Sequence, residues 1–266
     1  MYIPYQEIAD NLGLNSGDTL LIASDISKLA YNTFKNKEKL NSNLLVDSFK
    51  RVLKDGTLLF PAFIDDFKSG DTFDKLKNAP EMGALSKLTF ERVDFIRSND
   101  PLHSFMTYGK DADDIAEMSY DSTFGKDSVF AYLKNVGAKM LLIDVDLEHS
   151  FTFAHYVEED QQVSYRKYID LEYKSVNESG RIENKVVKVY SKKSGVVNTL
   201  NKLEPILIEK GAMGKIEINE SIFRLIHLDT AYDIICEEIR MNGGKNLHTF
   251  EVKKFLKSTV KSILKK

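Results

Sequence analysis

Short, wholly apolar runs alternate with stretches whose apolar residues recur at helical spacing. This alternation narrows the possible folds more than any other feature of the chain. Asp18–Ala23 (DTLLIA), Thr57–Phe63 (TLLFPAF) and the run from Met140 to Ile143 are too short to be helices and too continuously apolar to have a wet face. They read as buried strands. Between the first two, Ser42–Lys54 carries Leu44, Leu45, Phe49, Val52 and Leu53 at helical spacing and stops at Asp55-Gly56. Helices are also expected at Tyr5–Leu12 (closed by Gly13), from Met82-Gly83 to Phe90, at Ala112–Met118 and at Lys126–Leu133. Phe95–Ser98 and Ser104–Tyr108 read as further short strands. Pro61 requires that its strand end there or lie at an edge. Strands separated by helices imply an α/β fold, with a mostly parallel or mixed central sheet and helices on both faces.

Past residue 165 the pattern changes. Tyr168–Tyr190 alternates apolar and polar residues around Asn177-Glu-Ser-Gly180, which signals a β-hairpin. Leu200–Glu209, Asp229–Met241 and Thr249–Leu264 follow as C-terminal helices. In the last, Val252, Phe255, Leu256, Thr259 and Ile263 form one stripe, the mark of an amphipathic docking helix with a solvated lysine face. No repeat or linker interrupts the chain. A single domain over 1–266 is therefore expected, an α/β core over 1–165 with a hairpin and helical part over 166–266 packed on it.

The composition excludes several classes of function. At 266 residues and 42% hydrophobic, the chain can bury a sizeable core. A net charge of -3 gives no footprint for nucleic acid. The single cysteine, Cys236, leaves no disulfide and no cysteine-built zinc site. No apolar run approaches the roughly 20 residues that span a bilayer. Met1-Tyr-Ile-Pro-Tyr5 lacks the basic and apolar regions of a signal peptide. A cytoplasmic protein is expected, acting on small molecules as a monomer or homodimer. Glycine-rich phosphate loops (G-x-G-x-x-G, G-x-x-x-x-G-K) and a G-x-S-x-G elbow are missing.

The chemistry concentrates in residues 141–159. The apolar run ends in a turn through Asp144, Asp146, Glu148 and His149, and from about Ser150 the spacing becomes helical. Thr152, His155 and Glu158 or Glu159 then share one face, just past the end of a strand, where open α/β sheets place their ligands. An imidazole beside a carboxylate can act as a general base at neutral pH. The plainer reading of the same residues is a helix end with a surface histidine. His149 and His155 lie six residues apart, on different faces of a helix, so a metal site is not expected.

Seven segments, in order, resemble the aminoglycoside 3-N-acetyltransferase family. They are Asp18–Ser27, Asp55–Phe63, Met82-Gly-Ala-Leu-Ser86, Ser98–Gly109 with its His-Ser-Phe, Asp121–Ser128 with its Phe-Gly-x-x-Ser, Thr152-Phe-Ala-His155 through Glu158, and Glu220–Leu228. The resemblance implies an acyl-CoA-dependent N-acyltransferase acting on the amine of an amino sugar. It places the catalytic histidine at His155, its helix glutamate at Glu158 and Thr152 near the thioester. It puts coenzyme A contacts at Ser24, Ser27, His103, Ser104, Gly125 and Ser128. For Ser128 the alternative is an ordinary helix N-cap, and for Ser24 and Ser104 a turn hydrogen bond.

Two departures bear on the acceptor. Ala23-Ser24-Asp25 stands where antibiotic-modifying members carry His-Ser-Ser, and Val189-Tyr-Ser-Lys-Lys193 is basic where they are acidic. Phe151–Glu158, followed by Val163-Ser-Tyr-Arg166, resembles the branch of the family associated with surface-polysaccharide sugars. A nucleotide-linked amino sugar is expected, met by Arg166, Lys192 and Lys193, with Asp146 or Glu148 holding its amine. An aminoglycoside acceptor and a non-catalytic carbohydrate-binding role are the alternatives.

Overall fold

The computed structural model describes residues 2–177 and 179–256. The strands are β1 (Thr19–Ser24), β2 (Thr57–Pro61), β3 (Thr72–Phe73), β4 (Ile96–Arg97), β5 (Phe105–Gly109), β6 (Lys139–Ile143), β7 (Arg166–Val176), β8 (Ile182–Lys192), β9 (Val196–Asn198), β10 (Met213–Ile218), β11 (Ser221–His227) and β12 (His248–Phe250). The helices are α1 (Ser27–Lys35), α2 (Ser42–Val52), α3 (Ala84–Glu91), α4 (Ala112–Glu117), α5 (Val129–Asn135), α6 (Leu147–Ser150), α7 (Phe153–Asp160), α8 (Leu203–Glu209) and α9 (Leu228–Asn242).

Seven strands form one mixed sheet in the order β10-β11-β6-β1-β2-β5-β4. The three central strands β6, β1 and β2 are parallel, and pairing turns antiparallel outward on both sides. Because side chains alternate across a strand, each central strand feeds two cores. Leu21 and Met140 point to the face covered by α5, α7 and α9. Leu20 and Leu141 point to the face covered by α2 and α3. This double burial is why these strands read as continuous apolar runs. Pro61 closes β2 at its last position, so a proline is accommodated in a strand paired on both sides.

The expected hairpin is β7–β8, paired over eleven residue couples from Arg166↔Lys192 to Val176↔Ile182. It forms a separate three-stranded sheet with β3 over a small cluster of Ile64, Phe73, Leu171, Tyr173 and Val187.

Two expectations are corrected. Tyr5–Leu12 forms two 3-10 turns, Tyr5–Glu7 and Ala9–Asn11, in place of one α-helix. Thr249 belongs to β12, which pairs with β9, so the terminal helical turn begins only at Val252. Val252 and Leu256 are exposed where the stripe would have docked them, and Thr259 and Ile263 lie outside the described residues. Among the described residues, no helix is long and apolar enough to cross a membrane.

Candidate active site

The carboxyl ends of β1, β2 and β6 open into one cleft. Beyond Ile143 the chain turns sharply at Asp144, whose φ of 51° is left-handed, a region that aspartate tolerates better than most residues. Asp144 is pinned there by β11, since the backbone N–H of Ile222 donates to its Oδ1 at 2.8 Å. The turn sends the chain into α6, whose N-terminus Asp146 caps by accepting from the His149 N–H at 3.1 Å. Helix α7 follows at once. Thr152 occupies its N-cap position but makes no capping bond, so its hydroxyl is left for the cleft.

The cleft has a volume of about 310 Å³. Ser24, Phe63, His103, His149, Thr152 and His155 are among the residues that line it. Phe63 and Phe124 flank the His103 ring, with centroids 4.8 and 5.0 Å away. Phe124 also meets His155 edge-on at 5.7 Å. The Nδ1 of His103 is buried without a hydrogen-bond partner. Burial drives the pKa of this imidazole down to about 4, so it is neutral at physiological pH.

Only 16% of the His155 side chain is exposed. Its Nδ1 lies 2.8 Å from Oε2 of Glu158, one turn along α7. The Glu158 carboxylate is buried and shared: the Tyr165 hydroxyl donates to Oε1 at 2.9 Å, and Nε of Arg166 lies 2.6 Å from Oε2. The Arg166 Nε pairs by charge alone, because its N–H is not aligned as a hydrogen bond. Nη1 of the same guanidinium donates to the Tyr190 carbonyl at 3.0 Å, and Nη2 lies 2.8 Å from His155 Nδ1.

Burial pushes the Glu158 carboxyl up, but the hydrogen bond and charge of His155, the charge of Arg166 and the Tyr165 hydroxyl together hold it below its usual range. An ionised carboxylate only accepts and a guanidinium only donates, so both cannot hydrogen-bond one Nδ1; with its hydrogen assigned to the Glu158 contact, Arg166 Nη2 meets the ring by charge alone and Nε2 is the basic nitrogen. Burial first, then the Arg166 charge, hold the His155 imidazole below its usual pKa, against the pull of Glu158. A neutral, oriented imidazole in a cleft can remove a proton at physiological pH.

The helix spacing left Glu158 and Glu159 open, and the structure separates them. Glu158 backs His155. Glu159 turns to a second cavity of about 310 Å³ beyond Phe124, where Ser122 Oγ donates to it at 2.9 Å. Asp121, Asp127 and Asp160 also line that cavity, and so does Gly125, which therefore stands apart from the cleft.

Of the residues marked in the sequence, Ser24, His103, Thr152 and His155 meet in the cleft, with Glu158 and Arg166 behind His155. Others do not reach it. Ser104 is fully buried, accepting from Arg97 Nε and donating to the Ala62 carbonyl, both at 2.9 Å. Ser128 is the N-cap of α5, with the Ala131 N–H donating to its Oγ. Ser27 is exposed at the start of α1.

The residues marked for the acceptor are also mostly engaged elsewhere. Asp146 is held by His149 Nδ1 at 2.7 Å and Asn201 Nδ2 at 3.0 Å, and the Glu148 N–H donates to Asn201 Oδ1. Lys193 Nζ donates to the Ser164 carbonyl at 2.6 Å. Arg166, expected to meet an anionic acceptor, is buried with its nitrogens engaged by protein groups. Lys192 is exposed at the end of β8, and its charge bears on His155. Tyr165 and His149 carry no distinctive spacing of their own. Their role in the site emerges only from what they touch.

A neutral histidine backed by a buried carboxylate, at the carboxyl ends of parallel strands, is the equipment of an enzyme that takes a proton from its substrate. The chain belongs to the aminoglycoside 3-N-acetyltransferase family, whose sequence profile matches residues 24–239. It is thus an enzyme of the CoA-dependent N-acetyltransferase class.

Solved structures share the fold. The aminoglycoside acetyltransferase AAC(3)-Xa is 18% identical with a TM-score of 0.75, over 88% of this chain and 90% of that one. AAC-IIIb, solved as a binary complex with CoASH, is 17% identical with a TM-score of 0.75, over 95% and 99%. YokD protein from Bacillus subtilis is 19% identical with a TM-score of 0.72, over 92% and 96%. No curated protein sequence matches the chain significantly.

Proposed function

We propose that the protein transfers an acyl group from coenzyme A to the amine of an amino sugar, with His155 as general base. The observation that carries this reading is the His155–Glu158 pair, which leaves Nε2 as the basic nitrogen of a ring that lines the cleft. A sugar ammonium must lose a proton before its nitrogen can attack. Nε2 takes that proton, directly or through water, and Glu158 stabilises the imidazolium that results. As the C–N bond forms and the C–S bond breaks, the departing thiolate takes the proton held by His155 and leaves as the thiol, while the second proton shed by the new amide nitrogen goes to solvent. Thr152, free of capping duty, donates to the oxyanion of the tetrahedral intermediate. The cleft volume is at the low end for ligand sites and suits the acyl end of the thioester, with the nucleotide end lying across the rim near Ser24. The core of 1–165 and the part over 166–266 act as one catalytic unit, because Arg166 closes on Glu158 from the second part. The cytoplasm, where acyl-CoA is available, is the compartment this reaction needs.

A nucleotide-linked amino sugar is the acceptor favoured by Lys192 beside the base and by the run from Lys185 to Lys202, which has no acidic residue. A second reading, an aminoglycoside, is favoured by the acid-lined cavity behind Phe124 and by the family to which the chain belongs. The test is thiol release from a set of acyl-CoAs, offered nucleotide-linked amino sugars in one arm and gentamicin- or kanamycin-type acceptors in the other. Turnover in the first arm alone supports the primary reading, and turnover in the second alone replaces it. Release in neither arm overturns both acceptor readings. His155→Ala should lower turnover about a hundred- to ten-thousand-fold while the protein stays folded. Near-normal activity in that variant sinks the assignment of the base.

A further inference from the structure

A general base that shares a buried hydrogen bond with a carboxylate faces a conflict. The carboxylate orients the ring, but its charge also favours the protonated imidazole, which cannot accept another proton. Arg166 sits where this conflict would be resolved. It enters from β7, eleven residues beyond His155, and is 5% exposed. Its Nε is 2.6 Å from the Glu158 oxygen that faces His155, and its Nη2 is 2.8 Å from His155 Nδ1 and 3.5 Å from Nε2. The Tyr190 carbonyl fixes Nη1 at 3.0 Å, so the guanidinium cannot swing away.

We propose that Arg166 is a positioning residue for acyl transfer: it offsets the charge of Glu158, so that the carboxylate aims the His155 ring without keeping a proton on it. This rests on His155 as the base. Nε2 stays available at physiological pH, and the hydrogen stays on Nδ1. Other groups face the ring from every side. Glu158 is on its own helix. His103 and Asp65 lie across the cleft, and His149 is at its rim. Tyr165 reaches it through Glu158, and Lys192 stands at the end of β8. Of the cations among these, Arg166 is the one in contact with both members of the pair.

The experiment follows the acid limb of kcat/KM and, in parallel, the NMR titration of the His155 imidazole, assigned by its loss in His155→Ala. Arg166→Met removes the charge at similar length. The acid limb and the imidazole titration should both move to higher pH by about one unit or more, so that activity lost at neutral pH returns in alkali. Arg166→Lys keeps the charge and should leave both near the wild-type pH, even with kcat reduced. Glu158→Gln should move both to lower pH, which tests the same balance independently of whether the methionine variant folds.

An Arg166→Met protein that is folded by circular dichroism and titrates as wild type overturns the proposal. So does an equal displacement in Arg166→Lys, or a Glu158→Gln protein whose titration does not fall. A protein with no acyl transfer to any acceptor would refute the function proposed above. The NMR titration would still decide the part played by Arg166.

Discussion

Of the three histidines that line the cleft, His103 and His155 are held neutral because the fold withholds water from them. In the unfolded chain each would titrate near 6.5. Below that pH the unfolded state takes up protons that the folded state does not, so stability is fully present above about 6.5 and declines as pH falls. The decline continues to about 4, where His103 titrates in the folded protein. Denaturant midpoints measured from pH 7.5 to 4.5 should therefore fall steadily. Replacing His103 with asparagine should flatten that slope, because one of the two groups would no longer take up a proton on unfolding. A slope unchanged in His103→Asn would mean that its burial does not control its charge.

At the scale of the element, the helices of this site begin in two ways. Ser128 spends its hydroxyl on the first turn of α5, whereas Thr152 leaves its own hydroxyl unspent at the start of α7. The two residues look alike in sequence, each a hydroxyl just before an apolar stretch. Ser128→Ala should cost about 1 kcal/mol of stability, the usual worth of an N-cap, with the Michaelis constant for acyl-CoA unchanged. Thr152→Val should do the reverse, with little effect on the melting temperature and a marked drop in kcat. A raised Michaelis constant in Ser128→Ala would restore the coenzyme contact that the family resemblance implies for that residue. The same distinction explains Ser104, whose segment was legible as a motif. Its two hydrogen bonds to Arg97 and Ala62 were not, because Ala62 lies forty-two residues earlier and meets it only across the β2–β5 pairing.

At the scale of the whole molecule, the hairpin brings the charge of Lys192 to bear on the base, and the cavity behind Phe124 is lined by Asp121, Asp127, Glu159 and Asp160 together with Lys126. Lys192→Glu should raise the Michaelis constant for a nucleotide-linked acceptor and weaken the salt dependence of transfer, because an exposed charge acts through solvent and is screened by ions. An unchanged constant would turn attention to the acidic cavity as the acceptor's seat.

Sequence alone determined what depends on near neighbours. Burial on both faces of doubly covered strands shows as apolar runs, helical spacing shows α2 and α9, and the steps of three and four residues from His155 to Glu158 and Glu159 place a carboxylate within one turn of the imidazole. Tertiary structure decided what depends on pairing between distant segments. The three central strands turned out parallel within a mixed sheet. His103 and His155, from different elements, came to line one cleft. Arg166, marked for a substrate, became the buried partner of Glu158. Local spacing encodes which face of an element is dry, but the choice of neighbour across that face follows from strand order and packing of the whole sheet, and a guanidinium's partner is set only when those surfaces close.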